Sequence, residues 1–156
     1  YHIADIGSGS GALGITAKLE LPHSSVDFYD IDPATLEIAK DNARAHGLQA
    51  RYYHQDLLAD DHGPYDIVLA NLPYVPLAYP INASAKHEPS IALFAGVDGL
   101  DLYRKLFIRF DDIKWKPKEI YTESLAGSHK DLHAIAQRHG YSLIKEKDLI
   151  QVFSPA

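Results

Sequence analysis

A run of glycines opens the chemistry available to this chain. Asp5-Ile6-Gly7-Ser8-Gly9-Ser10-Gly11 lies between a short apolar segment and the start of a helical pattern. Glycine lets a backbone turn sharply and approach a bound group without Cβ interference. A helix start just beyond it offers unpaired N–H groups. Read literally, Gly9-Ser10-Gly11-Ala12-Leu13-Gly14 also satisfies the G-x-G-x-x-G dinucleotide pattern, a weak signal on its own. Asp5 argues for a different nucleotide-like ligand, since a carboxylate is badly placed beside a pyrophosphate and well placed beside a cation. Asp30 ends the second strand-like run, where an acid in a nucleotide fold accepts from ribose hydroxyls. Asp32 precedes Pro33 and is already explained as a helix N-cap. Asp56 is suited to accept from an adenine amino group or to close a turn. Leu57 would then supply a backbone N–H beside the ring. Asn71-Leu72-Pro73-Tyr74 follows a buried apolar run and places an amide, a stiff turn and an aromatic face within four residues.

The elements that must position these groups alternate between strand and helix. Strands are expected at His2–Ile6, Ser25–Ile31, Ala50–His54, Tyr65–Ala70 and Glu119–Ser124. A final pair, Tyr141–Glu146 and Leu149–Phe153, is joined by a Lys147-Asp148 turn. Helices are expected at Ala12–Glu20, Ala34–Ala45, Leu100–Phe110 and His129–His139. The pattern predicts an α/β three-layer Rossmann-like sandwich. Its seven-stranded sheet is mostly parallel, with crossover helices among the first five strands and a C-terminal antiparallel hairpin. The whole chain, 1–156, reads as one domain. Asn71 to Asp98 has four prolines and no period, and it leaves the carboxyl end of a buried strand, where open α/β sheets hold ligands. This loop is expected to cover or build the site.

Composition removes several classes of function. There is no cysteine, hence no disulfide framework, thiolate metal site or cysteine nucleophile. A net charge of −6 argues against autonomous gripping of nucleic acid. No apolar run approaches the roughly 18 residues of a membrane span, and the expected location is cytoplasmic. The chain opens directly into a strand and reads as a piece of something longer. His129 and His133 stand one helical turn apart, but without a third ligand they are expected to occupy a solvated helix face rather than a metal site.

Asp5-x-Gly7-x-Gly9-x-Gly11 resembles the first motif of class I S-adenosylmethionine (AdoMet) methyltransferases, whose ligand carries an ammonium and a sulfonium. Asn71-Leu72-Pro73-Tyr74 resembles the (N/D)-P-P-(Y/F/W) motif of methyltransferases acting on planar nitrogens, with Leu72 in place of the first proline. The motif uses that residue's backbone carbonyl, which leucine also has. Glu88-Pro89-Ser90-Ile91-Ala92-Leu93-Phe94-Ala95-Gly96-Val97-Asp98-Gly99-Leu100-Asp101-Leu102-Tyr103-Arg104 resembles the corresponding stretch of the HemK/PrmC family, and Glu123 falls where that family has a glutamate ending the fifth strand. The resemblance implies methyl transfer to the side-chain amide of the glutamine in the Gly-Gly-Gln motif of a peptide chain release factor, by a monomer. It implies that Asp5, Gly7, Gly9 and Gly11 line the methionine end of AdoMet. Asp30 would take the ribose, and Asp56 with Leu57 the adenine. Asn71, Leu72, Pro73 and Tyr74 would form the catalytic loop, with Asn71 also touching the cofactor. Asn71, Pro73, Tyr74 and Glu88 would contact the substrate. S-adenosylhomocysteine is the implied product, and no metal is implied.

An amide nitrogen is a poor nucleophile because its lone pair is delocalised. Two acceptors, the Asn71 side-chain oxygen and the Leu72 carbonyl, can hold its two hydrogens and aim the lone pair. The sequence departs from the family in its last hairpin, which lacks the arginine-bearing turn, and in having neither the N-terminal helical domain nor the helix preceding the first strand. Two rival activities remain: an adenine-N6 methyltransferase on RNA or DNA, and an NAD(P)-binding oxidoreductase fragment. A cofactor-binding scaffold without turnover is a third possibility.

Overall fold

The computed structural model describes residues 1–58, 62–76 and 96–156. Seven strands form one sheet in the order β3-β2-β1-β4-β5-β7-β6. In chain order the elements are β1 (His2–Ile6), α1 (Ala12–Glu20), β2 (Ser25–Asp30), α2 (Pro33–Ala45), β3 (Arg51–His54), β4 (Ile67–Ala70), α3 (Asp101–Asp112), β5 (Glu119–Glu123), α4 (His129–Arg138), β6 (Tyr141–Lys147) and β7 (Ile150–Pro155). Strands β1 to β5 run parallel. β7 runs antiparallel to both β5 and β6.

Alternation along the strands decides what each face packs. Ile3, Val26 and Phe28 point to one face and meet Ile15 of α1 with Leu36 and Ala43 of α2. Ala4, Ile6, Tyr29, Val68, Ala70, Ile120 and Phe153 point to the other and meet α3 and α4. α3 buries Tyr103, Leu106, Phe107 and Phe110, an i, i+3, i+4, i+7 stripe. Phe107 packs edge-on against Phe110, Tyr141 and Phe153, which ties α3 to the terminal hairpin. Asp32 caps α2 as the sequence predicts. Its Oδ1 accepts from Ala34 N at 2.9 Å, and Pro33 takes the first helical position, where no N–H is needed.

Four expectations are corrected. The β3 to β4 connection carries no helix among its described residues. There aromatic packing covers the chain instead: His62 stacks on Tyr53 at 3.8 Å, and Gly63 is pressed so closely beneath the Trp115 ring that a Cβ on it would lie 2.1 Å away. β4 begins at Ile67, after Asp66, whose single carbonyl takes both Lys118 N and Glu119 N and so departs from the one-to-one pairing of a regular ladder, while its carboxylate accepts from His2 N at 2.8 Å. The last turn falls at Asp148-Leu149 rather than Lys147-Asp148, with Asp148 at φ +54, a left-handed position that aspartate tolerates. His129 and His133 do not lie on a solvated face. His129 is buried and its Nδ1 sits 3.4 Å from Glu146 Oε1, while His133 packs near Phe153, because this side of α4 faces the sheet.

Candidate active site

Strand order turns about the β1–β4 pair. From β1 the chain moves outward to β2 and β3, and from β4 it moves the other way to β5. The carboxyl ends of β1 and β4, Ile6 and Ala70, lie in register as neighbours. A crevice opens outside the strand ends at such a reversal. The glycine loop leaves β1 at that point, and Asn71-Leu72-Pro73-Tyr74 leaves β4 beside it.

The two loops touch. A Cβ on Gly7 would stand 3.0 Å from Leu72 Cδ2 and 4.0 Å from Asn71 O. Gly7 lies at φ +65, so both its conformation and its contact exclude a side chain. Leu72 is 3% exposed and closes over the glycine. Sequence reasoning credited Leu72 with a carbonyl only. The structure gives its side chain a packing role as well. Asn71 itself is exposed at the strand end.

The glycine loop is held by carboxylates. Asp30 Oδ2 accepts from Gly9 N at 2.9 Å, and its Oδ1 accepts from Asp32 N at 3.0 Å. Each oxygen keeps lone-pair capacity for a further donor. Asp5 is buried and its Oδ2 accepts from Gly14 N at 2.8 Å, so this carboxylate braces the first turn of α1. Burial pushes its carboxyl up to about 7, with the nearby Asp30 charge adding to the rise and the Gly14 hydrogen bond opposing it. Ser8 N donates to Tyr29 O at 2.9 Å, while Ser8 Oγ is buried with no hydrogen-bond partner. Asp56 is exposed at the end of β3, followed by Leu57 at φ +59, an uncommon conformation for a leucine. Glu88 lies outside the described residues, as does the stretch from Glu88 to Ala95.

These groups fit AdoMet. Gly9 has open space where a Cβ would be, and the loop displays an orphaned hydroxyl at Ser8. Asp30 and Asp56 place acceptors at the next two strand ends, in the order ribose and then adenine would require. Among the described residues no three His, Asp or Glu side chains gather as a metal site would need, and no helix is long and apolar enough to cross a membrane.

A second set of residues holds the Asn71–Tyr74 loop; Gly99, Tyr103, Arg104 and Glu123 belong to the stretches that carry the family resemblance, but the sequence gave none of them this role. Tyr103 Oη of α3 lies 2.9 Å from Ala70 O and 2.5 Å from Glu123 O, so one hydroxyl bridges the ends of β4 and β5. Burial holds the Tyr103 phenol well above its ordinary range, which keeps it a donor. Tyr74 Oη donates to Glu123 Oε1 at 2.8 Å. Gly99, at φ +79, presses against the same loop, so that a Cβ there would lie 2.2 Å from Tyr74 O and 3.2 Å from Pro76 Cδ. Arg104 bonds both Asp98 and Asp101, and the guanidinium beside Asp98 holds that carboxyl down at about 2. The available signal was a tyrosine on the buried stripe of α3, just after a glycine-bearing turn.

The all-parallel 3-2-1-4-5-6 order of dinucleotide-binding folds has no antiparallel strand between its last two positions. Here β7 is inserted there, and the sheet is that of the class I methyltransferases. The same fold appears in the crystal structure of ribosomal protein L11 methylase from Lactobacillus delbrueckii subsp. bulgaricus, with a TM-score of 0.71 at 18% identity over 99% of this chain and 69% of that one. The chain belongs to the methyltransferase small domain family, whose model matches residues 1–82. It is 37% identical over 143 residues to the release factor glutamine methyltransferase of Bacillus cereus, covering 88% of this chain and 50% of that protein. It is also 37% identical over 116 residues to the ribosomal protein uL3 glutamine methyltransferase of Burkholderia pseudomallei, covering 67% of this chain and 38% of that protein. The chain thus spans about half the length of the first of these relatives and less of the second.

Proposed function

We propose that this chain is the catalytic domain of an AdoMet-dependent protein-glutamine N-methyltransferase that acts in the cytoplasm, as a monomer, on the Gly-Gly-Gln glutamine of a peptide chain release factor. One observation carries the reading: the glycine loop and the Asn71–Tyr74 loop meet at the same end of the sheet, where a Cβ on Gly7 would stand 3.0 Å from Leu72 Cδ2. Relatives named for glutamine methylation support the amide as target. AdoMet, when bound, supplies an electrophilic methyl on a sulfonium.

The chain's own residues would do the rest. Gly7, Gly9 and Gly11 would hold the methionine end, with Asp30 at the ribose and Asp56 with Leu57 at the adenine. Asn71 Oδ1 and the Leu72 carbonyl would accept the two amide hydrogens of glutamine. Holding both hydrogens fixes the amide plane and turns its lone pair toward the methyl. The same acceptors stabilise the positive charge that builds on nitrogen during attack. Pro73 stiffens the turn, and the Tyr74 ring offers a flat face to the planar amide. The nitrogen loses its proton after the methyl has arrived, so no strong base is needed beforehand.

The test is mass spectrometry of a release factor incubated with this chain and AdoMet, with ribosomal protein uL3 and a structured RNA alongside. One methyl on the Gly-Gly-Gln glutamine, absent with Asn71→Ala, is the expected result. Methylated uL3 with an unmodified release factor moves the substrate while keeping the chemistry. Methylated RNA alone moves the assignment to adenine.

A further inference from the structure

We infer that Glu123 is a positioning residue for methyl transfer, acting through Tyr74 to fix where the aromatic ring lies beside the substrate amide. This rests on the proposed reading of the Asn71–Tyr74 loop as the amide-holding loop. Glu123 ends β5, one strand beyond the loop, and its carboxylate receives the Tyr74 hydroxyl at 2.8 Å.

Tyr74 is held at both of its ends. Its carbonyl lies against Gly99, where a Cβ would come within 2.2 Å. Its ring packs on the core that includes Ala70, Leu72 and Tyr103. The hydroxyl then reaches Glu123. A tyrosine ring has two torsions to fix. The backbone contact and the core packing place the root of the side chain, and the Glu123 bond fixes its far end. The direction of the ring's long axis is therefore anchored on β5, while packing on the core sets the rotation of the ring about that axis.

Glu123 is itself held. Its backbone carbonyl accepts from Tyr103 Oη, whose oxygen also lies within bonding distance of Ala70 O. Ala70 immediately precedes Asn71. A single buried hydroxyl thus fixes the distance between the strand end that carries the acceptor Asn71 and the strand end that carries the Tyr74 anchor. Acceptor and aromatic face are registered to one another through side-chain hydrogen bonds from two different elements. A planar substrate needs this arrangement, because its hydrogens and its ring-facing surface must be satisfied together.

The experiment follows two readouts on the whole 156-residue chain. The first is 13C NMR of ring-labelled tyrosine, assigned with Tyr74→Phe. The Tyr74 Cζ resonance is expected to shift in Glu123→Ala and to return toward its wild-type position in Glu123→Gln, which keeps an acceptor oxygen. The second is steady-state methylation of a Gly-Gly-Gln peptide. Glu123→Ala and Tyr74→Phe are each expected to lower kcat about tenfold with AdoMet affinity unchanged, which is a modest misplacement of the reacting groups. The double variant is expected to fall no further than either single one, since both remove the same bond. Rescue by Glu123→Gln would separate positioning from a need for charge. A Tyr74 resonance indifferent to Glu123→Ala overturns the inference, whether or not the peptide is methylated. Additive losses in the double variant, or full activity in Glu123→Ala, overturn it too. A responsive resonance in a wild-type chain that methylates no glutamine supports the positioning and overturns only the substrate reading.

Discussion

The two halves of the sheet hold their loops by different means. On the β1–β2 side backbone N–H groups are tied to carboxylates: Gly9 N to Asp30, and Gly14 N to Asp5. On the β4–β5 side tyrosine hydroxyls are tied to strand ends: Tyr103 to Ala70 and Glu123 carbonyls, and Tyr74 to the Glu123 carboxylate. The difference teaches what each set of bonds fixes. On the first side the anchored groups are backbone N–H, so the acids fix the course of the main chain. On the second the anchored groups are two strand-end carbonyls and a tyrosine side chain, so the bonds fix the spacing of two strand ends and the position of an aromatic ring.

Three experiments press on this division, taken from the largest expected effect to the smallest. Asn71→Ala should lower kcat by about 10²–10³, or about 3 kcal/mol of barrier, the usual loss of a transition-state hydrogen-bonding partner. Calorimetry should find AdoMet binding little changed, and a collapse of binding would show that the halves are not separate. Gly11→Ala belongs to the other half. Gly11 lies at φ +80, and a Cβ there would stand 3.1 Å from Ala39 Cβ, 3.2 Å from Ile15 Cδ1 and 3.3 Å from Phe28 Cε1. Backbone strain and overpacking together should cost about 2 kcal/mol, read by urea unfolding.

Asp30→Asn should weaken AdoMet about tenfold, or ~1.4 kcal/mol, by removing a charged acceptor. In that variant kcat at saturating AdoMet should stay within a small factor of wild type. A fourth experiment, outside that ranking, concerns pH. Burial raises the Asp5 carboxyl to about 7, above its unfolded value near 4. Between those values the folded chain holds the extra proton. The stabilisation is complete below about pH 4 and is lost as pH rises through about 7. Asp5→Asn should flatten that decline while keeping an acceptor for Gly14 N. Unchanged pH dependence of thermal unfolding would remove Asp5 as its source.

The geometry of the glycine-loop half was legible in the sequence because its requirements are local. Positive φ at Gly7, Gly9 and Gly11 can be expected from residue type, and Asp32 before Pro33 announces a cap within three positions. The succession of strands and helices was legible from alternation, down to the antiparallel finish, whereas the order of the strands across the sheet, with β7 between β5 and β6, was not. The bracing of the substrate half was not. Tyr103 reads in sequence as one more buried position on α3, and only strand adjacency reveals that its hydroxyl spans two carbonyls. Glu123 and Tyr74 are 49 residues apart, a separation that no periodicity can bridge. His129 misled for the same reason: its surroundings are set by β6 and β7, not by its own helix.

Gly99 has a consequence for how the molecule can change. By touching both Tyr74 O and Pro76 Cδ, it packs the chain just before α3 against the segment that follows Asn71. The loop-closure entropy of such a contact grows only as the logarithm of the number of residues between its ends, about 0.6 kcal/mol for each doubling. The contact therefore holds Tyr74 at a cost that hardly depends on how far the chain runs before it returns, and the length of that connection is only weakly constrained by the fold at its two ends.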